Sequence, residues 1–113
     1  MDSNASALER EVLRWPGVSK EPGRFGAISF RYGKREIGHL HHDRIADLPV
    51  TREMRERILS QGRARPHRAG VKGYVSHPLE NEEDVAAVLD LLSQNYDRAK
   101  AARRASQTTK EQR

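Results

Sequence analysis

The residues best suited to chemistry form one short run in the middle of the chain. Three of the five histidines and a carboxylate fall within Gly38–Asp43. Side chains alternate along an extended strand, so His39 and His41 should share one face while Leu40 lies on the other. Two imidazoles on one face, with Asp43 close behind, could form a metal site, a proton-handling site or the polar rim of a pocket.

A metal site is one interpretation of this run. The His39/His41 pair has the H-x-H spacing that zinc and other metals favouring imidazole use. A catalytic site needs a third protein ligand, for which four polar residues are candidates: His42, Asp43, His67 and His77. Half-exposed histidines on a strand are more often plain surface residues. We therefore expect no cofactor, with zinc as the alternative.

An acid–base pair is another interpretation, with His41 beside Asp43 or Asp47. The sequence offers it no nucleophile, because cysteine is absent and Ser29 and Ser76 lie in predicted strands without a Gly-x-Ser-x-Gly elbow. A glycine-rich phosphate loop is also missing. These absences favour a non-catalytic module.

The function that we predict is the binding of a small ligand or a protein partner. The candidate binding residues are those of the histidine run with two possible neighbours: Arg24, His39, His41, Asp43 and His67.

A net charge of +5 raises the alternative of a DNA-binding module. Residues 97–113 hold six basic and two acidic groups, which leaves the first 96 residues nearly neutral. The candidate DNA-binding residues lie on and after the second predicted helix: Arg52, Arg55, Arg63, Arg65, Arg68 and Lys72. Glu53 and Glu56 in the same helix favour an ion-paired, solvated face instead.

Composition bounds the class of protein. We expect residues 1–5 to be disordered, residues 6–96 to form one domain, and residues 97–113 to form a basic tail that extends the last helix and then becomes disordered. The first residues lack the basic and apolar regions of a secretory signal, and no stretch approaches the roughly 20 apolar residues that cross a bilayer. These features predict a cytoplasmic protein, with no membrane partner and the oligomeric state left open.

The predicted elements explain how the histidine run is held. Ser6 should cap a first helix with Glu9 reaching back to it. The alternation at residues 28–32, the turn at 33–34 and the strand at 35–41 predict a hairpin, followed by a strand at 44–48.

A second helix should follow, capped by Thr51 and ended by Gly62. A strand at 73–77 and a last helix capped by Asn81 complete the order α-β-β-β-α-β(1–2)-α. This order predicts an α+β two-layer sandwich, with an antiparallel sheet and the helices packed on one face.

The chain resembles small bacterial proteins grouped as the "luciferase domain" family. The resemblance is carried by several runs: Trp15–Val18, Gly23–Gly26, Arg35–His41, Asp43–Pro49, Glu82–Val85 and Leu91–Leu92. It covers about residues 8–96 and implies membership of that family without assigning a reaction.

A second resemblance, to the MmcQ/YjbR-like proteins, rests on the element order, on Pro66–His67 before Gly73–Val75, and on Asn95–Tyr96 near the end of the last helix. Those proteins have an α-β(3)-α-β(2)-α fold and are often described as DNA-binding, so this resemblance implies the same two-layer fold. The chain departs from their pattern by having Asn95 where a serine is usual and no tryptophan near Tyr74.

Overall fold

The computed structural model describes residues 3–67 and 69–111. Its helices and strands run in this order: α1 (Asn4–Val12), β1 (Val18–Pro22), β2 (Ile28–Tyr32), β3 (Arg35–His41), β4 (Ile45–Pro49), α2 (Arg52–Ser60), β5 (Arg65–Pro66), β6 (Tyr74–Pro78) and α3 (Glu82–Glu111). The predicted α+β class is confirmed, and β1 is a strand that the predicted order did not count.

The six strands form one antiparallel sheet in the order β1-β2-β3-β4-β6-β5. Strands β1 to β4 follow one another as a meander, and β6 then pairs with β4 so that the two-residue β5 lies at the edge. The histidine-bearing strand β3 is therefore central, which removes His39 and His41 from the sheet edge where surface histidines are common.

The apolar core lies between one face of the sheet and the three helices. Its members come from both layers: Leu8, Val12, Phe30, Ile37, Leu40, Leu48, Met54, Ile58, Val75, Val88 and Leu92. Helix α3 packs tightly against the sheet at Gly38, where a Cβ atom would lie 2.5 Å from Cδ2 of Leu92. A glycine is needed at this point because the helix leaves no room for a side chain.

The helix ends largely follow local sequence signals. As predicted, the Thr51 hydroxyl accepts the Met54 amide and the Asn81 side chain accepts the Asp84 amide. The prediction for α1 was wrong: Ser3, rather than Ser6, is the cap, because its hydroxyl accepts the Ser6 amide and the helix begins at Asn4. Ser6 therefore lies inside the first turn.

Helix α3 continues to Glu111, through part of the tail for which the sequence predicted disorder. The preceding turns of the helix, up to residue 105, are rich in alanine, which favours helix. Two cations of these turns lie over aromatic rings: Lys100 over Tyr96 and Arg103 over Tyr32. Within the described part of the chain, no helix combines the length and apolar character needed to cross a membrane.

Candidate functional site

A bulge in β3 shapes the face of the sheet that the helices leave open. Phe30 pairs with Gly38 and Arg31 pairs with Glu36, so Ile37 is an extra residue in β3. The extra residue reverses the alternation, and Glu36 comes to lie on the same face as His39, although the two are three positions apart. Glu36 Oε1 is 2.9 Å from His39 Nδ1, while Ile37 is fully buried in the apolar core.

Asp47 is the centre of the polar side chains on this open face. Its Oδ2 atom lies 3.1 Å from His39 Nε2, 3.2 Å from His41 Nε2 and 3.4 Å from His67 Nε2. Its other oxygen, Oδ1, accepts a 2.6 Å hydrogen bond from the Ser76 hydroxyl. Asp47 is fully buried, so three imidazoles converge on one carboxylate that has no contact with solvent. We call His39, His41, His67 and Asp47 the His–Asp cluster.

Glu36 connects this cluster to two further strands. Its Oε2 atom accepts a 2.7 Å hydrogen bond from the Ser29 hydroxyl on β2, and its Oε1 atom accepts one of 3.1 Å from the Tyr74 hydroxyl on β6. Together with the His39 bond, these contacts fix Glu36 from three sides. The polar network thus crosses four neighbouring strands of the sheet.

The electrostatics of the network follow from its two carboxylates. Burial alone would lower the pKa of His39, but the hydrogen bonds to Asp47 and Glu36 and their negative charges raise it to about 9. Burial would raise the pKa of Asp47, but the hydrogen bonds from His39 and Ser76 and the positive charge of His39 lower it to about 2. His39 is therefore a cation held between two anions at neutral pH.

The pKa of the Tyr74 hydroxyl is also shifted by its position in this network. Burial and the neighbouring charge of Glu36 raise the pKa of its hydroxyl to about 12. The hydroxyl therefore keeps its proton at neutral pH and remains a donor to Glu36.

The geometry defines the proton position on His67. The Ala69 amide donates to Nδ1 of His67, 3.1 Å away. A neutral imidazole whose Nδ1 accepts a hydrogen bond carries its proton on Nε2. The Nε2 atom of His67, which lies 3.4 Å from Asp47 Oδ2, is therefore a donor.

A cavity of about 730 Å³ opens above the cluster. Its polar floor includes Glu36, His39, His41, His67 and Tyr74, and its walls include Arg24, Arg31, Phe25 and Val71. Phe25 is 86% exposed and Val71 is 47% exposed, so the rim presents apolar surface to solvent. The floor is charged and hydrogen-bonded, whereas the rim is partly apolar.

Comparison with models of known protein families identifies the family of this chain. Residues 34–95, more than half of the chain, match the model of the Luciferase domain family. The chain belongs to the luciferase-domain family. Searches of curated proteins and of solved structures found no match. The resemblance to MmcQ/YjbR-like proteins receives no support from these comparisons.

The luciferase-domain segment contains the whole His–Asp cluster together with Glu36 and Tyr74. It begins in the turn between β2 and β3 and ends within α3. Arg24 and Phe25, which line one wall of the cavity, precede it.

Four of the five predicted binding residues line this cavity: Arg24, His39, His41 and His67. The fifth, Asp43, is not among its lining residues and is exposed in the connection between β3 and β4. His42 and Asp43 both have positive φ angles there, and the Arg44 amide donates to the His41 carbonyl. The carboxylate at the cluster is Asp47, which the sequence suggested only as an alternative partner for His41.

Loop length decides which carboxylate reaches the histidines. A two-residue connection at His42 and Asp43 would pair His39 with Ala46. The actual connection also includes Arg44, so His39 pairs with Asp47. A shift of one residue in register exchanges the two faces of a strand. The predicted connection was one residue too short to identify Asp47 as the central residue.

The other candidate metal ligands lie elsewhere. His77 Nδ1 is 2.7 Å from the Pro78 carbonyl and 3.9 Å from Asp84. His77 lies on the opposite face of β6 from Ser76, which contacts the cluster. His42 is exposed at the cavity mouth. Neither contributes to the His–Asp cluster.

The six candidate DNA-binding residues are distributed over several elements. Arg52 pairs with Glu56 at 3.4 Å, and Arg63 forms an ion pair with Asp90. The rest are Arg55 in α2, Arg65 in β5, Lys72 in the exposed connection to β6, and Arg68, which lies outside the described residues. The i, i+4 pairing of Arg52 with Glu56 is typical of a solvated helix surface, and that of Arg63 joins the segment after α2 to α3. Binding of nucleic acid stays a prediction.

Proposed function

We propose that the chain is a binding module for a small amphipathic anion, which it holds in the cavity above the His–Asp cluster. The observation that carries this proposal is the meeting of a charged, hydrogen-bonded floor with an exposed apolar rim in one concavity. Ligand sites of this size combine apolar walls with a few fixed polar groups. A concave site of this kind suits a small molecule better than a protein partner.

The wall formed by Arg24 and Phe25 indicates the chemical class of the ligand. Within the described residues, the Arg24 guanidinium makes no hydrogen bond or ion pair, and it lines the cavity. Arginine forks bind carboxylate, sulfonate and phosphate oxygens well. Phe25 beside it offers a ring to an apolar group, so one ligand carrying both features would satisfy both residues.

The backbone at Phe25 adds support. Its φ angle is +56°, a left-handed conformation that is rare for a bulky residue. Strained backbone of this kind concentrates at ligand sites, where the surrounding structure holds a side chain in a required direction. Here it holds a phenylalanine ring at the mouth of the cavity rather than in the core.

Anilinonaphthalene sulfonate, which joins an anionic group to aromatic rings, is a suitable probe. We expect saturable binding of one dye per chain, weakened by Arg24→Ala and by Phe25→Asn, since asparagine tolerates the left-handed backbone. The matched control is Leu13→Ser, because Leu13 is an exposed apolar residue outside the cavity lining. Equal dye binding in all four proteins, or non-saturable binding, would rule out the cavity as the site.

The alternative of a DNA-binding module has less support, because Arg52 and Arg63 are already paired with carboxylates. Duplex DNA binding that survives removal of residues 97–113 and is lost in an Arg55→Ala/Arg65→Ala variant would favour it over the proposal. Binding that disappears with the tail would assign the affinity to non-specific charge.

A further inference from the structure

We propose that the His–Asp cluster is a site for a divalent transition-metal ion, with His39 Nε2, His41 Nε2 and an Asp47 carboxylate oxygen as its three protein ligands. This inference goes beyond the proposed ligand pocket and does not depend on it. Two of the ligands, His39 and His41, line the floor of the cavity, and the buried Asp47 contacts both of them. The residues that define the anion proposal, Arg24 and Phe25, lie on the wall.

The distances within the cluster are compatible with a coordination shell. Ligand atoms that each lie about 2.0 Å from a tetrahedral metal are about 3.3 Å from one another. The two imidazole nitrogens lie 3.1 Å and 3.2 Å from Asp47 Oδ2. All three ligand atoms lie within 4.8 Å of one another. Because a ligating imidazole nitrogen carries no proton, the metal ion would replace the Nε2 proton of His39, which is released to solvent on binding.

Two of the three ligands, His39 and Asp47, also form a hydrogen bond through the atom that does not face the metal position. Metal-binding histidines usually donate their second ring N–H to a carboxylate, which fixes the ring and increases its basicity. Glu36 occupies this position on His39 Nδ1 and is itself fixed by Ser29 and Tyr74. The Ser76 hydroxyl holds the non-ligating oxygen of Asp47 in the same way. A surface histidine pair would not require this second layer of polar residues.

His67 is better placed as a hydrogen-bond donor than as a fourth ligand. Its Nδ1 atom accepts the Ala69 amide, so its Nε2 atom carries the proton and lacks a free lone pair. His67 lines the cavity together with the ligands His39 and His41. It would therefore donate to a water molecule or anion bound at the fourth position of the metal, which leaves that position open to the cavity.

The donor set selects the class of metal. Two imidazoles and one carboxylate, with no thiolate in the chain, suit Zn²⁺ and its first-row neighbours. Calcium and magnesium prefer oxygen ligands in larger numbers. Three protein ligands with an open position are the pattern of zinc sites that exchange a bound water.

The test uses the full chain, free of any histidine tag and stripped with a chelator. We expect calorimetric titration with Zn²⁺ to give one saturable site and a higher thermal unfolding midpoint, and Co²⁺ to give the intense visible bands of a four-coordinate complex. His41→Ala, on the polar floor of the cavity, should abolish the site without emptying the apolar core. Glu36→Gln should weaken Zn²⁺ binding by about 10- to 100-fold, since it acts through His39.

The matched control is His42→Asn, which removes an exposed imidazole from the same cavity and keeps a residue that accepts its left-handed backbone. It should bind Zn²⁺ as the unaltered protein does. Circular dichroism would confirm that each variant folds. No saturable Zn²⁺ site in the folded protein, or equal binding in His41→Ala, would overturn the inference. Dye binding through Arg24 and Phe25 is measured separately, so failure of one proposal is distinguishable from failure of the other.

Discussion

The side-chain amide of Asn95 donates to the main-chain carbonyl of Ile37, 2.9 Å away across the interface between α3 and the sheet. The same nitrogen donates to the Pro49 carbonyl, also at 2.9 Å. Ile37 is the extra residue of the β3 bulge, and that bulge places Glu36 beside His39. A helix residue on the apolar side of the sheet thus stabilises the backbone that arranges the polar side.

We expect Asn95→Ala to lower the free energy of unfolding, because both carbonyls would lose a buried donor. An unsatisfied buried polar group costs about 1–3 kcal/mol. Asp97→Ala, an exposed change half a turn away, is the control and should fall within about 0.5 kcal/mol of the unaltered protein. Urea denaturation measures both. Equal stability of the two variants would mean that the bulge does not depend on Asn95.

Gly38→Ala should also destabilise the chain, because the new Cβ atom would lie 2.5 Å from Leu92 Cδ2 in a filled core. Overpacking of this kind costs about 1–3 kcal/mol. Leu92→Val in the same chain should recover part of the loss by removing the clashing methyl group. Gly73→Ala is the control, since nothing lies within 4 Å of its added Cβ and its φ angle is ordinary. Additive effects of the two substitutions at 38 and 92 would contradict the clash.

The pKa of His39 predicts a loss of stability at alkaline pH in metal-free protein. Its pKa is about 9 when folded and about 6.5 when unfolded, so its contribution is fully present below pH 6.5 and is lost as the pH rises through 9. The expected loss is on the order of 1–3 kcal/mol, allowing for partial solvent screening. Urea denaturation between these pH values, with a chelator present, measures it.

His39→Gln should flatten this alkaline slope, while His77→Gln should leave it unchanged. A slope that is equally steep in His39→Gln would assign the pH dependence to another group. On the acid side, the lowered pKa of Asp47 means that its contribution is present above pH 3.8 and is lost as the pH falls through about 2.

Phe25→Asn should stabilise the fold while weakening dye binding. The phenylalanine ring is 86% exposed, so little burial is lost, and asparagine adopts the positive φ angle at lower cost. The left-handed conformation costs an ordinary residue about 1–2 kcal/mol, part of which asparagine recovers. Thermal unfolding would detect the gain. A lower unfolding midpoint would show that the ring contributes to stability rather than to the pocket.

The sequence was sufficient to predict the features that depend on residues close together in the chain. Alternation along β3 correctly placed His39 and His41 on one face, and the caps at Thr51 and Asn81 were recognisable from residue type and spacing. The two-layer fold followed from the order of these elements, because an antiparallel sheet with one apolar face must cover that face.

The missed features of the site all depend on pairing between strands. Glu36 joins the site only because a bulge reverses the alternation, and Asp47 replaces Asp43 only because the connection after His41 has three residues. The bulge interrupts the alternation only at Ile37, which falls in phase with His39 and His41 but lies in the core, and the loop length leaves no mark on the local pattern. Asp47 lies six residues after His41, and a carboxylate at that distance beyond a histidine-rich strand is the signal that could have identified it.

One wall of the pocket and its floor come from separate stretches of chain, and this has a practical consequence. Residues 23–27 supply the wall with Arg24 and Phe25, whereas the floor comes from β3, β6 and the segment between α2 and β6. Under the proposed function, replacing this five-residue loop would change the residues that meet the ligand while leaving the imidazole floor intact. The loop is thus the place at which the selectivity of the proposed site could be re-engineered separately from its floor.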